Sequence, residues 1–502
     1  MKKRILSAIL VCLMLASTFT ACSESTAKES DTTPTVQGEQ PADTTKAEAE
    51  TEDMDARKAI PDDLPDTTFN GQEFRVLTTE GGAIYGFDYM DEIISEELTG
   101  DSCNDAIYNR NLDVETRFDV KITCANNTTP QTYISTMVTS GINEYEIIGM
   151  YNFEAYKAIN AKAVLNWTTI PHVNLEKPWH NQLANDGATM NNTLYAICSD
   201  LAITSMLYTH AFFFNSVITE RYGYTADAIY TLVKEGKWTL DKAIEMTSSI
   251  YEDLDGGGTQ DEDDLYGFAY SVWNAADVWL SAFDQPICKT SDTGVEITFM
   301  TDKTVEIVEK LCDWHYNSGC FYNYQAIYHE EVAMKNGKLA FAPIRFKACF
   351  DALRDMEDPY GIIPYPKWNE EQEQYLTNAD DKFTVFTVPL TAVDETEFVG
   401  TIYEALCAGS YKSVYPIYYD SALKGKYSSD PTTAEMIDLV MAGRNFDFSF
   451  QFANDCFQGM PYWVREAIQK NDTNIASRYA SVKKALNKNI TKKLYPLYGL
   501  EA

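Results

Sequence analysis

The chain has 502 residues, with 75 Asp and Glu against 40 Lys and Arg and a formal net charge of −35. A surface of that sign repels nucleic acid and anionic lipid, so both are excluded as partners held by charge. The length exceeds what one hydrophobic core normally serves, and two lobes are the natural expectation.

The N-terminus, MKKRILSAILVCLMLASTFTACSES, places Lys2, Lys3 and Arg4 ahead of an apolar run from Ile5 to Leu15. That run is too short to span a bilayer and reads as an export signal. Thr20 and Ala21 precede Cys22, an arrangement that resembles a bacterial lipobox in which the cysteine carries lipid, although Phe19 stands where Leu is usual. The alternative is an ordinary cleaved signal with an incidental cysteine. Residues 1–22 are therefore read as a lipoprotein signal, and loss of its three cations takes the net charge to −38. From Ser23 to Thr68 there is no aromatic residue, only a run rich in Thr, Glu, Asp, Ala and Pro, which cannot bury enough apolar surface to order itself. It reads as a tether (23–68) that holds a folded body at the extracellular face of the membrane without inserting it.

QEFRVLTTE (72–80) is a short strand after the turn Asn70-Gly71. Residues 105–123 predict a helix and a second strand ending near Ile122, QTYISTMVTSG predicts a helix closed by Gly141, and YEIIGM (145–150) an apolar strand. Strands alternating with helices at this spacing argue for an α/β lobe with a parallel sheet. Further on, LYAICSDL, whose LYAICS reads as a strand, and AFFFNSVI flank a break, and 237–254 predicts an amphipathic helix with Thr239 as its N-cap. DKTVEIVEKLCDWHYNSG predicts a helix ending at Gly319; NGKLAFAPI and YGIIPYPK predict strands joined by a helix over KACFDALRDM. The last hundred residues read as mostly helical.

No pair among the five histidines has zinc-ligand spacing, and neither a GxSxG elbow nor a phosphate-binding glycine loop occurs. Cys312, His315 and Cys320 lie close together, but the surrounding helix pattern favours packing. Eleven cysteines show no disulfide framework, which in an exported protein implies reducing surroundings or buried thiols. YEDLDGGGTQDEDDLYGF (251–268) packs acids around three glycines. With Asp253 at position one of a twelve-residue calcium loop, Asp255 falls at three, Gly258 at six, Thr259 at seven, Asp261 at nine and Asp264 at twelve. Gly257 occupies position five, where a ligand is usual, so water would substitute there. The competing reading is a solvated acidic turn.

The lipobox and tether, AIYNRNLDVETRFDVKI, FFFNSVITERYGY followed by LVKEGKWTLDKAIEMTSSIYEDLDGGGTQDEDDLYGF, YGIIPYPKWNEEQEQY and YPIYYDSALKGKYSSDPTTAEMIDLV resemble the solute-binding lipoproteins of bacterial ABC importers, of the large sugar-binding type that includes maltodextrin receptors. The resemblance implies a two-lobe periplasmic-binding-protein-like fold of type II with interlobe hinge crossings and a helical C-terminus. Lobe 1 is expected from 69–199 and 366–425, and lobe 2 from 200–365 and 426–502. It further implies a non-catalytic monomer that captures a sugar or oligosaccharide and delivers it to a transporter permease, with the acidic loop as a structural calcium clip.

Ligands of open α/β sheets sit at strand ends. That rule selects Tyr151, Asn152 and Glu154 after one strand, Asp200 at the first lobe crossing, Trp273, Asn274 and Trp279 in YSVWNAADVW, Arg345 and Phe346 after APIRF, and Phe457 and Trp463 near the C-terminus. Rings and fixed polar groups together suit sugars, which present both C–H faces and hydroxyls. The rival function is a surface carbohydrate-active enzyme with a carboxylate pair, which an acid-rich sequence neither excludes nor locates.

Overall fold

The computed structural model describes residues 54–81, 89–324, 328–426 and 431–501. The signal and most of the tether, with Cys22, lie outside the described residues.

In the first lobe β1 (Gln72–Thr79), β2 (Val120–Asn127) and β3 (Ile147–Tyr151) form a parallel set, β1 central, joined by α1 (Ser102–Phe118) and α2 (Pro130–Ser140). Helix α1 starts where Asp101 accepts hydrogen bonds from the backbone N–H groups of Cys103 and Asn104. Helix α2 stops at Gly141, whose φ of 69° closes its last turn. Phe74, Val76, Ile147, Phe118 and Phe398 fill the core under this sheet.

The second lobe is built on β4 (His210–Asn215), β5 (Tyr251–Glu252), β6 (Leu265–Tyr270), β7 (Phe321–Asn323), β8 (Leu339–Arg345) and β9 (Tyr360–Ile363), in the order β9-β4-β8-β6-β5 with β7 also on β6. Its central strands β4, β6, β8 and β9 are mostly apolar and buried along their length because both faces are covered. β4 sends Phe212 and Phe214 into one core and Ala211 and Phe213 into the other, the two-residue period of a pleated strand. The sheet leaves no room at Gly361, where a Cβ atom would run into the ring of Phe214. The chain then crosses through β10 (Thr377–Asn378) to β11 (Thr384–Thr387), which pairs antiparallel with β3 in the first sheet. The last hundred residues are mostly helical among those described, as expected.

Three sequence expectations are corrected. The helix expected over 237–254 spans only Leu240–Thr247, capped by Thr239 as anticipated. The hydroxyls of Thr247 and Ser248 bond back to Ala243 and Ile244 carbonyls, and Tyr251 and Glu252 pair with β6 instead. KACFDALRDM makes only a short 3-10 turn, Phe346–Cys349, followed by irregular turns, with Phe346 N–H donating to the carbonyl of Thr209. LYAICSDL is not a regular strand; it makes isolated bridges, Ile197 to Phe386 and Ser199 to His180. No helix among the described residues is long and apolar enough to cross a membrane. The nine described cysteines are all free thiols and seven are buried.

Candidate functional site

Two of the segments that join the lobes run side by side. One runs through Thr204 and Tyr208 into β4; the other runs from β10 through Asp380, Asp381 and Lys382 into β11. They are tied by the Asp380 N–H donating to the Tyr208 carbonyl at 2.9 Å and by a bridge between Thr209 and Ala379. Beside them, β6 and β8 run parallel and end at the same edge, where β4, antiparallel, begins. This is the carboxyl edge at which α/β sheets take ligands.

At that edge a narrow cleft is lined by His210, Ser271, Trp273, Asn274, Tyr328, Glu330, Glu331 and Arg345, among others. His210 and Arg345 are register partners on β4 and β8. Trp273 ends the turn after β6 and is 43% exposed, the one tryptophan among the exposed large hydrophobic residues described. Asn274 and Asp277 follow in the first turn of the helix Asn274–Ala282. The guanidinium of Arg465 lies 5.3 Å from the Trp273 ring centre and 4.5 Å from that of Tyr462, and pairs with Asp277 at 3.0 Å. The Tyr462 hydroxyl donates to Asp381 at 2.9 Å, and the Asn274 amide donates to Asp380.

Buried polar atoms with no partner among the described residues gather in its lining: both ring nitrogens of His210, the Tyr328 hydroxyl, and Nε and Nη1 of Arg345; Asp277 Oδ1 and Asp381 Oδ1 are likewise unpartnered but belong to residues outside the lining. Leaving such groups unpaired costs about 1–3 kcal/mol each, so their convergence on one cleft marks where an external hydrogen-bonding partner is received. Burial pushes His210 down to about 3, so its ring is neutral near pH 7. Burial and the neighbouring Asp380 charge push Asp381 up to about 7. Burial alone would raise Asp380 as well, but the charges of Lys382 and Arg345 outweigh it and hold that carboxyl below the usual range.

Of the residues expected from sequence, Trp273, Asn274 and Arg345 come together at the cleft. Tyr151 lies beside the crossing, packed between Tyr89 and Phe153, and the Phe153 N–H donates to the Asp381 carbonyl. Asn152 lines a separate pocket with Phe383 and Gln451 and accepts from the Gln451 amide. Glu154 pairs with Lys157 at 2.7 Å and does not line the cleft. Asp200 also lies elsewhere: burial pushes its carboxyl to about 7 against the pull of Arg444 and Arg57. Trp279, Phe346, Phe457 and Trp463 are corrections, since all four are core residues. Trp279 faces the sheet among Phe212, Phe268 and Trp314 and donates its indole N–H to the Tyr270 hydroxyl. Trp463 packs against Phe299 and donates to the Gln458 carbonyl. Cys312, His315 and Cys320 are core, and His315 bonds the Leu311 carbonyl and the Tyr270 hydroxyl. Sequence reasoning did not select His210, Asp277, Tyr328, Asp380, Asp381, Tyr462 or Arg465. The adjacent acids Asp380 and Asp381, directly ahead of the strand FTVFTV, were the available signal.

In the acidic loop, Gly256 and Gly258 take φ of 74° and 73°, turns that require glycine. Carboxylate oxygens of Asp253, Asp255 and Asp264 lie within 4.8 Å of one another, and Asp264 is fully buried. Asp253 accepts from the N–H groups of Gly256 and Gly258, and Asp264 from Leu254 N–H and the Tyr251 hydroxyl. Hard oxygen donors this close suit Ca²⁺. Asp261 is not among these three acids, and its carboxylate accepts from Asp263 N–H; the contribution expected of Thr259 is its backbone carbonyl. Because Tyr251 and Glu252 form a strand, the loop links two antiparallel strands and does not follow a helix directly.

No sequence-family description matches the chain, and no curated protein is significantly similar to it. Solved structures are similar over most of its length. Maltose-bound MalE3 of T. maritima has a TM-score of 0.53 at 13% identity, over 82% of this chain and 99% of that one. The ABC substrate-binding protein Lmo0181 from Listeria monocytogenes, in complex with cycloalternan, has a TM-score of 0.50 at 11% identity, over 83% and 99%. The GacH receptor of Streptomyces glaucescens, solved unliganded and with acarbose, has a TM-score of 0.53 at 10% identity, over 84% and 99%. These neighbours are binding proteins, and at such identities the likeness speaks for the fold: the chain is a two-lobe α/β protein with the fold of the sugar-binding substrate receptors of ABC importers.

Proposed function

We propose that this protein is a receptor that captures a sugar or oligosaccharide at the cleft beside the lobe crossings and hands it to an ABC importer. The observation that carries the reading is the convergence of unpartnered buried polar atoms around an exposed indole. A pyranose offers what both need, hydroxyls for the polar atoms and a C–H face for Trp273. Closure of the lobes around the ligand would be driven by contacts made only in the closed state. The receptor acts as a monomer, tethered through Cys22 to the extracellular face of the membrane, and Ca²⁺ held by Asp253, Asp255 and Asp264 pins the loop between β5 and β6.

Calorimetry with neutral and charged oligosaccharides, run beside an assay for new reducing ends, tests the capture reading. Saturable binding without turnover supports it; sustained release of reducing ends would replace it with the two-carboxylate enzyme. Cys22→Ser tests the anchor, since the variant should leave the membrane fraction for the medium, and a variant that stays bound contradicts it.

A further inference from the structure

The fold contains two fully buried arginines that it treats in opposite ways. Arg110, on α1, is satisfied by the protein itself. Its Nε donates to Asn111, Nη1 to the Glu92 carbonyl and Ser410, and Nη2 to the Ile93 carbonyl. Arg345, at the end of β8, is only 3% exposed, yet Nε and Nη1 find no acceptor among the described residues. The nearest carboxylate on Nη2 is Glu331 at 3.7 Å, beyond hydrogen-bond reach. Of the other nearby acids, Asp380 is committed, one oxygen to the Lys382 N–H and the other to the Asn274 amide, and Glu330 accepts from the N–H and hydroxyl of Ser271.

Arg345 is nevertheless held in place. Its guanidinium is sandwiched between the rings of Tyr328 and Tyr208, 4.0 and 4.8 Å from their centres. Tyr328 holds its position with φ at 67°, a left-handed backbone that a bulky residue adopts only where the surroundings enforce it. A planar cation stacked on both faces can accept partners only at its edge, and that edge borders the cleft. His210 beside it is neutral, with a further unpartnered N–H. The wall therefore offers free donors at Arg345 and His210, with Arg345 its one cation beside the carboxyl groups of Glu330 and Glu331. Glu331 balances this charge at a distance but leaves Nε and Nη1 without acceptors; a buried donor left unmade is costly, and a carboxylate satisfies a guanidinium more strongly than a hydroxyl does.

We propose that the ligand is an acidic sugar, a uronic acid or an oligosaccharide containing one, whose carboxylate is received at Arg345. The inference rests on the sugar-capture reading and narrows it. Glu331 is then the resident competitor for the same guanidinium, and the protein's overall negative charge slows approach of such a ligand without setting its preference once bound.

The test is calorimetry on the full chain with matched sugars that differ only in a carboxylate or a hydroxymethyl group: glucuronate against glucose, galacturonate against galactose, mannuronate against mannose, each as monomer and short oligomer. In at least one pair the acidic member should bind ten-fold or more tightly than the neutral one. Arg345→Gln should lower that ratio, and Glu331→Gln, which removes the competitor, should raise it. Melting curves of both variants report whether they fold, and the comparison on the unaltered protein stands without them. Neutral members binding as tightly as acidic ones would overturn this inference while leaving sugar capture standing. Absence of binding by every pair would overturn both.

Discussion

Replacing Glu92 by Gln probes the point where these two adjacent crossings meet the first lobe. Glu92 is fully buried and accepts from the Thr204 backbone N–H at 2.6 Å and from the Thr384 hydroxyl at 2.6 Å, one residue on each crossing. The two threonines also bond each other, so one carboxylate and two hydroxyls staple the segments together. Burial pushes the carboxyl from 4.5 to about 7, although the hydrogen bonds and Arg110 oppose it. Between those values the folded protein holds a proton that the unfolded chain has released. Stability therefore is full below pH 4.5 and is lost as pH rises through 7. At about 1.4 kcal/mol per pH unit, this one group removes about 3 kcal/mol across the window. Gln does not titrate and still offers an oxygen to Thr204, so the variant should lose about 3 kcal/mol less between pH 4.5 and 7. Asp200, Glu331 and Asp381, also pushed up to about 7, act alike in both proteins. Urea unfolding at closely spaced pH values reads the difference. Parallel stability profiles for the two proteins would refute the argument.

The acidic loop gives a second prediction: chelation should lower the melting temperature of the unaltered protein, whereas Asp255→Ala should melt the same with or without chelator. Calcium-independent melting of the unaltered protein would leave only a solvated acidic turn. Trp279→Ala should cost about 3–5 kcal/mol, as for a large aromatic removed from a core, and the folded fraction should keep its sugar affinity. Weakened binding with unchanged stability would return Trp279 to the cleft.

Much of the fold is legible in the chain. Alternating strand and helix patterns located β1 to β3, and the wholly apolar runs around 210–215 and 339–345 located the central strands of the second sheet. Helix ends were legible where a single residue fixes them, as at Thr239 and Gly141. The failures have one cause, which is that sequence shows composition but not facing. Trp273 and Trp279 share a helix and its approach, yet one indole points outward and the other packs on Phe212. Asp380, Tyr462 and Arg465 reach the cleft only because a late crossing and a C-terminal helix fold back over residues some hundred positions earlier or more. The calcium register placed three acids that converge, but it also assigned Asp261, which bonds its own loop.

The central claim is that a sugar is captured against Trp273. Calorimetric titration of the unaltered protein and of Trp273→Ala with the best-binding oligosaccharide tests it, with the melting temperature of each unliganded protein as control. Because the ring is 43% exposed, its loss should leave melting nearly unchanged while weakening affinity ten-fold or more, about 1.4 kcal/mol. A variant that melts earlier yet binds as tightly as the unaltered protein would contradict the account.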